Sequence, residues 1–162
     1  MKTLRVYLDT SVVGGCFDPE FALWSRALMD DFRAGLFRPV LSELLAAELD
    51  QAPAPVRELY GELMALADAP VPVTPEALDL LARYTAHAIV GPRFRNDMLH
   101  IALATVADVD VVVSWNFRHI VHLEKIRAFN AVNLEAGYKS IAIHSPREVT
   151  SHGADQEPAE GR

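Results

Sequence analysis

Three acidic residues occupy positions from which they could act together. Asp9 directly follows the strand-like run LRVYL, Glu48 lies among leucines in SELLAAEL, and Asp97 opens the apolar segment DMLHIALA. Ligands of an open α/β sheet bind outside the carboxyl ends of its strands, and the sequence places Asp9 there. Three carboxylates in one cleft repel one another, and oxygen ligands without thiolates suit Mg²⁺ or Mn²⁺. We therefore expect Asp9, Glu48 and Asp97 to hold one of these cations.

Each acid also has an ordinary interpretation when it is considered alone. Glu48 could be a solvated residue beside a leucine face, and Asp97 could simply favour the dipole at a helix N-terminus. Asn116 follows VVVSW and would lie at the carboxyl end of that strand. Asp108 and Asp110 precede the same strand, and a strand of about five residues spans ~16 Å, so neither should reach the acidic edge.

Strand-like and helical segments alternate along the chain. The predicted strands cover residues 4–8, 37–41, 110–115 and 140–143. The first predicted helix has Asp18 as its N-cap and Pro19 in its first turn, and it ends at Gly35. Ser42 and Asn96 are predicted to cap the helices that follow them, Thr74 begins a helix that reaches Val90, and two further helices run from Pro55 to Ala67 and over a last segment that ends at Gly137. This alternation predicts an α/β fold with a central, mostly parallel sheet of about four to five strands and helices on both faces.

The composition is that of one globular domain. The 162 residues are 51% apolar, and residues 150–162 are polar, so we expect a domain over residues 1–149 and a flexible C-terminal tail over 150–162. A single cysteine, Cys16, excludes an intramolecular disulfide and agrees with a reducing compartment. No signal peptide opens the chain and no apolar stretch approaches the roughly 20 residues that span a bilayer. We expect a soluble, cytoplasmic protein without a membrane partner.

The charge is unevenly distributed. The formal net charge is −7, which argues against a nucleic-acid partner, but residues 82–150 carry 8 Lys or Arg against 6 Asp or Glu. Arg93, Arg95 and Arg118 belong to this basic part of the chain. They could form a rim that contacts phosphates, or they could be ordinary solvated charges.

Four motifs resemble, in their order and spacing, those of the PIN-domain family, which includes the VapC-type toxins of bacterial toxin–antitoxin pairs. The motifs are VYLDTS, SELLAAEL, RNDMLHIALA and VVVSWNFRHI, and the later VNLEAGYKSIAIHSPREV is similar to one subgroup of small bacterial PIN proteins. The resemblance covers residues 4 to 149. It implies a PIN-like fold and a metal-dependent endoribonuclease, the toxin of a type II pair, with RNA as substrate, a cognate antitoxin as a possible partner, and a homodimer.

The resemblance also implies roles for individual residues. Asp9, Glu48 and Asp97 would be the acidic ligands of Mg²⁺ or Mn²⁺, and Ser11 would hold a carboxylate or a water on the metal. The ion would polarise a phosphodiester and lower the pKa of water for in-line attack, leaving a 5′-phosphate and a 3′-hydroxyl. Many PIN domains have a fourth Asp where this chain has Asn116, which can coordinate or orient water but adds no charge.

The same residues favour or argue against functions of other classes. A PIN-like module that binds RNA or a protein without cutting is favoured by Asn116 and by the acidic net charge. An aspartyl-phosphate site usually has a second Asp two residues after the first, but position 11 is Ser. No GxGxxG motif follows the first strand, which argues against a dinucleotide site. His119 and His122 lack the pattern of a zinc site.

Overall fold

The computed structural model describes residues 2–152, and these form a parallel sheet covered by helices. The strands are β1 (Leu4–Leu8), β2 (Phe37–Val40), β3 (Val111–Val113) and β4 (Ala142–His144). All are parallel, in the order β2-β1-β3-β4. Pro39 lies in β2, an edge strand, where a missing N–H is tolerated. The predicted α/β fold with a parallel sheet is confirmed.

Eight α-helices connect or flank the strands in this part of the chain. They are α1 (Thr10–Gly15), α2 (Ala22–Arg33), α3 (Glu43–Leu49), α4 (Ala54–Leu66), α5 (Pro75–Ala86), α6 (Arg95–Val106), α7 (Leu123–Glu135) and α8 (Pro146–Val149). The predicted caps of α3 and α5 are present: the Ser42 hydroxyl accepts from the Leu45 N–H at 3.1 Å, and the Thr74 hydroxyl accepts from the Ala77 N–H at 3.2 Å. Gly35 and Gly137 follow α2 and α7 with positive φ, as residues that stop helices do.

Alternate residues of the central strand β1 face the two sides of the sheet and belong to two separate apolar cores. Tyr7 packs with α5, α6 and α7, whereas Val6 and Leu8 pack with α1, α2, α3 and α4. Strand β3 is buried along its whole length, as a central strand covered on both faces must be. Helices therefore cover both faces, as predicted. None of the helices in residues 2–152 has the length and apolar character needed to cross a membrane.

Several local predictions are wrong. The helix predicted to reach Val90 ends at Ala86, and the strands predicted over 110–115 and 140–143 are Val111–Val113 and Ala142–His144. Helix α1 was not predicted, because TSVVGG has poor helix formers; burial of Val12 and Val13 outweighs that propensity. Helix α2 begins at Ala22 rather than near Asp18. The Asp18 carbonyl accepts from the Phe21 and Ala22 N–H groups and its carboxylate accepts from the Glu20 N–H, so Asp18 forms a turn before the helix.

Asn96 is not a helix cap. A 3₁₀ turn at Pro92–Phe94 continues directly into α6, so Asn96 lies inside the first turn of that helix. Its side chain instead helps to lower the pKa of the Glu48 carboxyl.

The first residues of the predicted tail pack against the body. Thr150 is buried, and the Thr150 and Ser151 hydroxyls both donate to the carboxylate of Asp31 in α2. The rest of the predicted tail, residues 153–162, lies outside the described residues.

Candidate functional site

Asp9 is the residue that follows β1, and two serine hydroxyls hold its carboxylate. Ser11 Oγ donates to Oδ1 and Ser114 Oγ donates to Oδ2, each at 2.6 Å. Both serines are themselves fixed by the backbone after β3: Ser11 Oγ accepts from the Trp115 N–H and Ser114 Oγ from the Asn116 N–H, each at 2.9 Å. The end of β3 therefore positions the Asp9 carboxylate.

Burial makes the ionised form of Asp9 costly. The residue is 5% exposed, and burial raises the pKa of its carboxyl above the ordinary value of 3.8. The charge of His100 and the hydrogen bonds from Ser11 and Ser114 act in the opposite direction but do not cancel it. Among residues 2–152, no Lys or Arg forms a salt bridge with Asp9. A buried carboxylate with this environment is favourably placed to bind a cation.

Glu48 lies in α3 and reaches the same edge of the sheet. Its Oε1 accepts from the Thr10 hydroxyl at 2.8 Å and lies 2.6 Å from His100 Nε2. An ionised carboxylate can only accept, so the imidazole Nε2–H is the donor. Thr10 is the neighbour of Asp9 in the chain, and its bond to Glu48 therefore brings the two acids together.

A buried hydrogen-bonded chain supports Glu48 from behind. His100 Nδ1 lies 2.6 Å from the Tyr7 hydroxyl, which lies 3.0 Å from Ser42 Oγ. Burial raises the pKa of Tyr7, so the phenol remains protonated. Burial of the Glu48 carboxyl acts to raise its pKa. The hydrogen bond and charge of His100, the bond from Thr10 and the nearby Asn96 amide outweigh this effect, and the pKa of Glu48 is lowered. Glu48 is therefore an anion in a fixed orientation.

Asp97, in the first turn of α6, is held by a different histidine. Its Oδ2 lies 2.9 Å from Nδ1 of His119, which follows β3 by six residues. Because β1 and β3 are adjacent and parallel, their carboxyl ends meet at one edge. Asp97 is therefore at the same edge as Asp9 and Glu48, and its side chain is 26% exposed.

The side-chain oxygen of Asn116 is engaged with the backbone. Asn116 Oδ1 accepts from the Arg118 N–H at 3.2 Å and the His119 N–H at 2.9 Å. The carbonyl of Asn116 also accepts from the Ile120 and Val121 N–H groups. Asn116 thus fixes the turn after β3 and with it the position of His119.

The chemistry of these donors fits a hard divalent cation, since Asp9, Glu48 and Asp97 offer only carboxylate oxygens on one edge. In this structure the three carboxylates are too far apart to hold one ion together. Among residues 2–152, no three His, Cys, Asp or Glu side chains form a group able to hold a metal ion. The Glu48 and Asp97 side chains, which are 28% and 26% exposed, are paired with His100 and His119. Binding of one ion by all three acids would require these side chains to move closer together.

The structure adds residues to the site that the sequence did not identify. Thr10 donates to Glu48, Asn96 helps to lower the pKa of that carboxyl, and His119 is hydrogen-bonded to Asp97. The sequence raises only a zinc site for His119, and the pattern of such a site is lacking. His100 connects two groups, because its ring nitrogens contact the Tyr7 hydroxyl and the Glu48 carboxylate. The spacing of Asp97 and His100, one helical turn apart on α6, is the signal that points to this edge. As predicted, Asp108 and Asp110 lie at the opposite edge of the sheet. There Asp110 accepts from the backbone N–H of Arg5, and the Asp108 carbonyl accepts from the Arg5 guanidinium.

The fold and this site define an α/β protein with a PIN-like architecture. No protein-family model matches the sequence, and no curated protein matches it either. Among solved structures, the chain is similar to the crystal structure of FitAcB from Neisseria gonorrhoeae, with a TM-score of 0.57 and 16% sequence identity. The match covers 87% of this chain and 97% of the other. This likeness supports the PIN-domain resemblance and confirms the predicted fold.

Proposed function

We propose that this protein is an Mg²⁺- or Mn²⁺-dependent endoribonuclease that hydrolyses RNA phosphodiesters. The observation that carries the proposal is the buried Asp9 carboxylate, which has a raised pKa and no Lys or Arg partner among the described residues. Removing a carboxylate from water without a paired cation costs several kcal/mol of folding free energy. A cation bound beside Asp9 would offset that cost. The PIN-like fold supports the same function.

Asp9, Glu48 and Asp97 would hold the ion. When bound, a divalent cation supplies positive charge that polarises a phosphodiester and promotes attack by water. Ser11 and Ser114 orient Asp9 through their hydroxyls, and Thr10 and His100 fix Glu48. No side chain is needed as a nucleophile, because water attacks phosphorus.

The biological role that we propose is the toxin of a type II toxin–antitoxin pair. It is supported by the motif resemblance to VapC-type proteins and by the structural likeness to FitAcB. A cognate antitoxin would then cover the acidic edge, and the toxin itself would form a homodimer. Copurification of the protein with the product of an adjacent small gene tests the partner, and its mass in solution tests the dimer.

Cleavage of end-labelled RNA tests the enzymatic proposal. The wild-type protein is assayed with Mg²⁺, with Mn²⁺ and with chelator, beside Asp9→Asn and the matched surface variant Asp79→Asn, whose residue is an exposed acid in α5. We expect metal-dependent cleavage by the wild type and by Asp79→Asn, with 5′-phosphate products, and none by Asp9→Asn. Cleavage by Asp9→Asn at the wild-type rate would reveal a contaminating nuclease and refute the proposal.

A second function has specific support: a catalytically weak or inactive PIN-like module that binds RNA or a protein. Asn116 contributes no charge, its Oδ1 is used by two backbone N–H groups, and no three side chains of the described residues are grouped for a metal. RNA binding that chelator leaves unchanged, with no cleavage under any metal, would favour this alternative.

A further inference from the structure

An exposed aromatic side chain lies beside the acidic edge. Phe117 follows Asn116 and is 50% exposed. Its ring meets that of Trp115 edge-on, at 6.0 Å between centroids and 67° between planes. Trp115 is fixed in turn: its ring stacks on Phe21 at 4.6 Å, and its Nε1–H donates to Ser25 Oγ at 2.7 Å. Phe117 is therefore a solvent-facing aromatic ring that is supported by the fixed side chain of Trp115.

Two exposed arginines, Arg93 and Arg118, lie against the ring of Phe94. The guanidinium carbons of Arg93 and Arg118 lie 4.7 Å and 5.9 Å from the centre of the Phe94 ring. Phe94 also packs on His119, the partner of Asp97, at 4.0 Å between ring centroids. Neither arginine forms a salt bridge with any of residues 2–152, so no carboxylate of this part of the chain competes with an anionic ligand for either charge.

We propose that Phe117, Arg93 and Arg118 form a binding surface for single-stranded RNA, in which Phe117 stacks on an unpaired base and the arginines contact flanking phosphates. We name this group the stacking rim. It deepens the proposed function, on which it rests, because it names the residues and the form of RNA that the site would select. An exposed aromatic ring and two exposed arginines without a salt bridge among residues 2–152 complement the alternation of bases and phosphates in a single strand.

The position of the stacking rim connects it to the acids. Trp115, two residues before Phe117, donates its N–H to Ser11, which binds Asp9. Arg118 is followed by His119, which binds Asp97. The turn that carries Phe117 and Arg118 therefore belongs to the same end of the sheet as Asp9 and Asp97, so RNA bound on it would lie at the acidic edge. In a duplex the bases are stacked on one another and cannot present a face to Phe117, so the rim favours single strands.

Binding without cleavage tests this inference. Fluorescence anisotropy is measured with a labelled single-stranded RNA and with the same strand in a duplex, in chelator and at several salt concentrations. The wild type is compared with Phe117→Ala, Phe117→Leu and Phe117→Tyr. Leucine keeps apolar area but has no ring, whereas tyrosine keeps the ring, so the pair separates stacking from simple apolar contact.

We expect Phe117→Ala and Phe117→Leu to weaken single-strand binding about tenfold, the effect of losing one stacked base, and Phe117→Tyr to bind as the wild type does. Duplex binding should be weaker and unaffected by these changes. Arg118→Ala should reduce the slope of log affinity against log salt by about 0.7, the value for one phosphate contact of a single strand. Arg118→Lys should restore that slope.

Controls come from the opposite edge of the sheet, where β2 begins. Leu36→Ala removes an exposed apolar side chain, and Arg38→Ala removes an exposed arginine. Both variants should bind RNA as the wild type does. Thermal unfolding of each variant, followed by circular dichroism, separates lost binding from lost folding.

Each outcome decides the inference. Equal affinity of wild type and Phe117→Ala for single strands, or equal weakening for single strands and duplex, would overturn it, as would an absence of RNA binding by the wild type. Failure of the proposed function looks different: RNA binds through Phe117 in chelator, yet no metal produces cleavage. Cleavage with normal binding by Phe117→Ala would keep the proposed function and refute the stacking rim.

Discussion

Replacing Asp9 by asparagine should stabilise the protein while it removes activity. The wild-type carboxylate is buried and carries a charge that burial disfavours, as its raised pKa indicates. Asparagine has nearly the same shape and no charge. Its Oδ1 can accept one of the two serine hydroxyls, and its amide N–H can donate to the oxygen of the other.

The size of the effect follows from opposing contributions. Two hydrogen bonds to the ionised carboxylate, from Ser11 and Ser114, contribute about 1.5–3 kcal/mol each. Desolvation costs several kcal/mol, and the raised pKa indicates that it exceeds these bonds and the favourable charge of His100. Asparagine removes the desolvation cost and gives up part of the bonding. We expect a net gain of about 1–2 kcal/mol, or roughly 2–8 °C in Tm for a domain of this size.

The pH dependence has a defined sign. Because folding raises the pKa of Asp9 above 3.8, the native protein binds a proton at a pH where the unfolded chain has lost it. Native stability from this group therefore falls as pH rises from 3.8 through the raised pKa. The advantage of Asp9→Asn should grow over that range and then remain constant.

The assay is thermal unfolding in chelator and in Mg²⁺, with Asp79→Asn as the control for loss of one surface charge. In chelator, Asp9→Asn should have a higher Tm than the wild type, and Asp79→Asn should have the same Tm as the wild type. In Mg²⁺ at about a hundred times its dissociation constant the wild type should gain about 2.7 kcal/mol and the variant should not, so the order of melting reverses. A lower Tm for Asp9→Asn in chelator would refute the reasoning, because the carboxylate would then be a net stabiliser.

Three further changes test the supports of the site and of the chain end. His100→Ala should lower the free energy of unfolding by about 2–3 kcal/mol in urea denaturation, because Glu48 and the buried Tyr7 hydroxyl each lose a partner; a loss below about 0.5 kcal/mol would contradict this. Asp31→Ala should lower the free energy of unfolding by about 3 kcal/mol in the same measurement, because Asp31 is buried and its carboxylate binds Thr150 and Ser151. Asp30→Ala, at the exposed neighbouring position, should change the free energy of unfolding little. Glu48→Gln should be less stable than the wild type at neutral pH. Because folding lowers the pKa of Glu48, this difference should disappear as the pH falls below 4.5. A difference in unfolding free energy that stays constant across a pH series would contradict this prediction.

Local signals in the sequence predicted most of the elements. Strand β1 was predicted at its observed bounds, and the caps at Ser42 and Thr74 were identified from residue types alone. Each of these features depends on neighbours within a few residues, so a pattern along the chain contains the necessary information. Where a local pattern competes with burial, as in α1, the local pattern fails.

The sequence by itself determined which chemistry is available: carboxylates after β1, in α3 and at the start of α6, on a parallel sheet whose edge could gather them. Only the tertiary structure decided what each acid contacts. Ser114 is 105 residues from Asp9 in the chain and His100 is 52 from Glu48, and nothing in a local pattern specifies such pairs. The physical reason is that these contacts arise when the strands and helices pack, because packing brings distant side chains within hydrogen-bonding distance and removes the water that would otherwise solvate them.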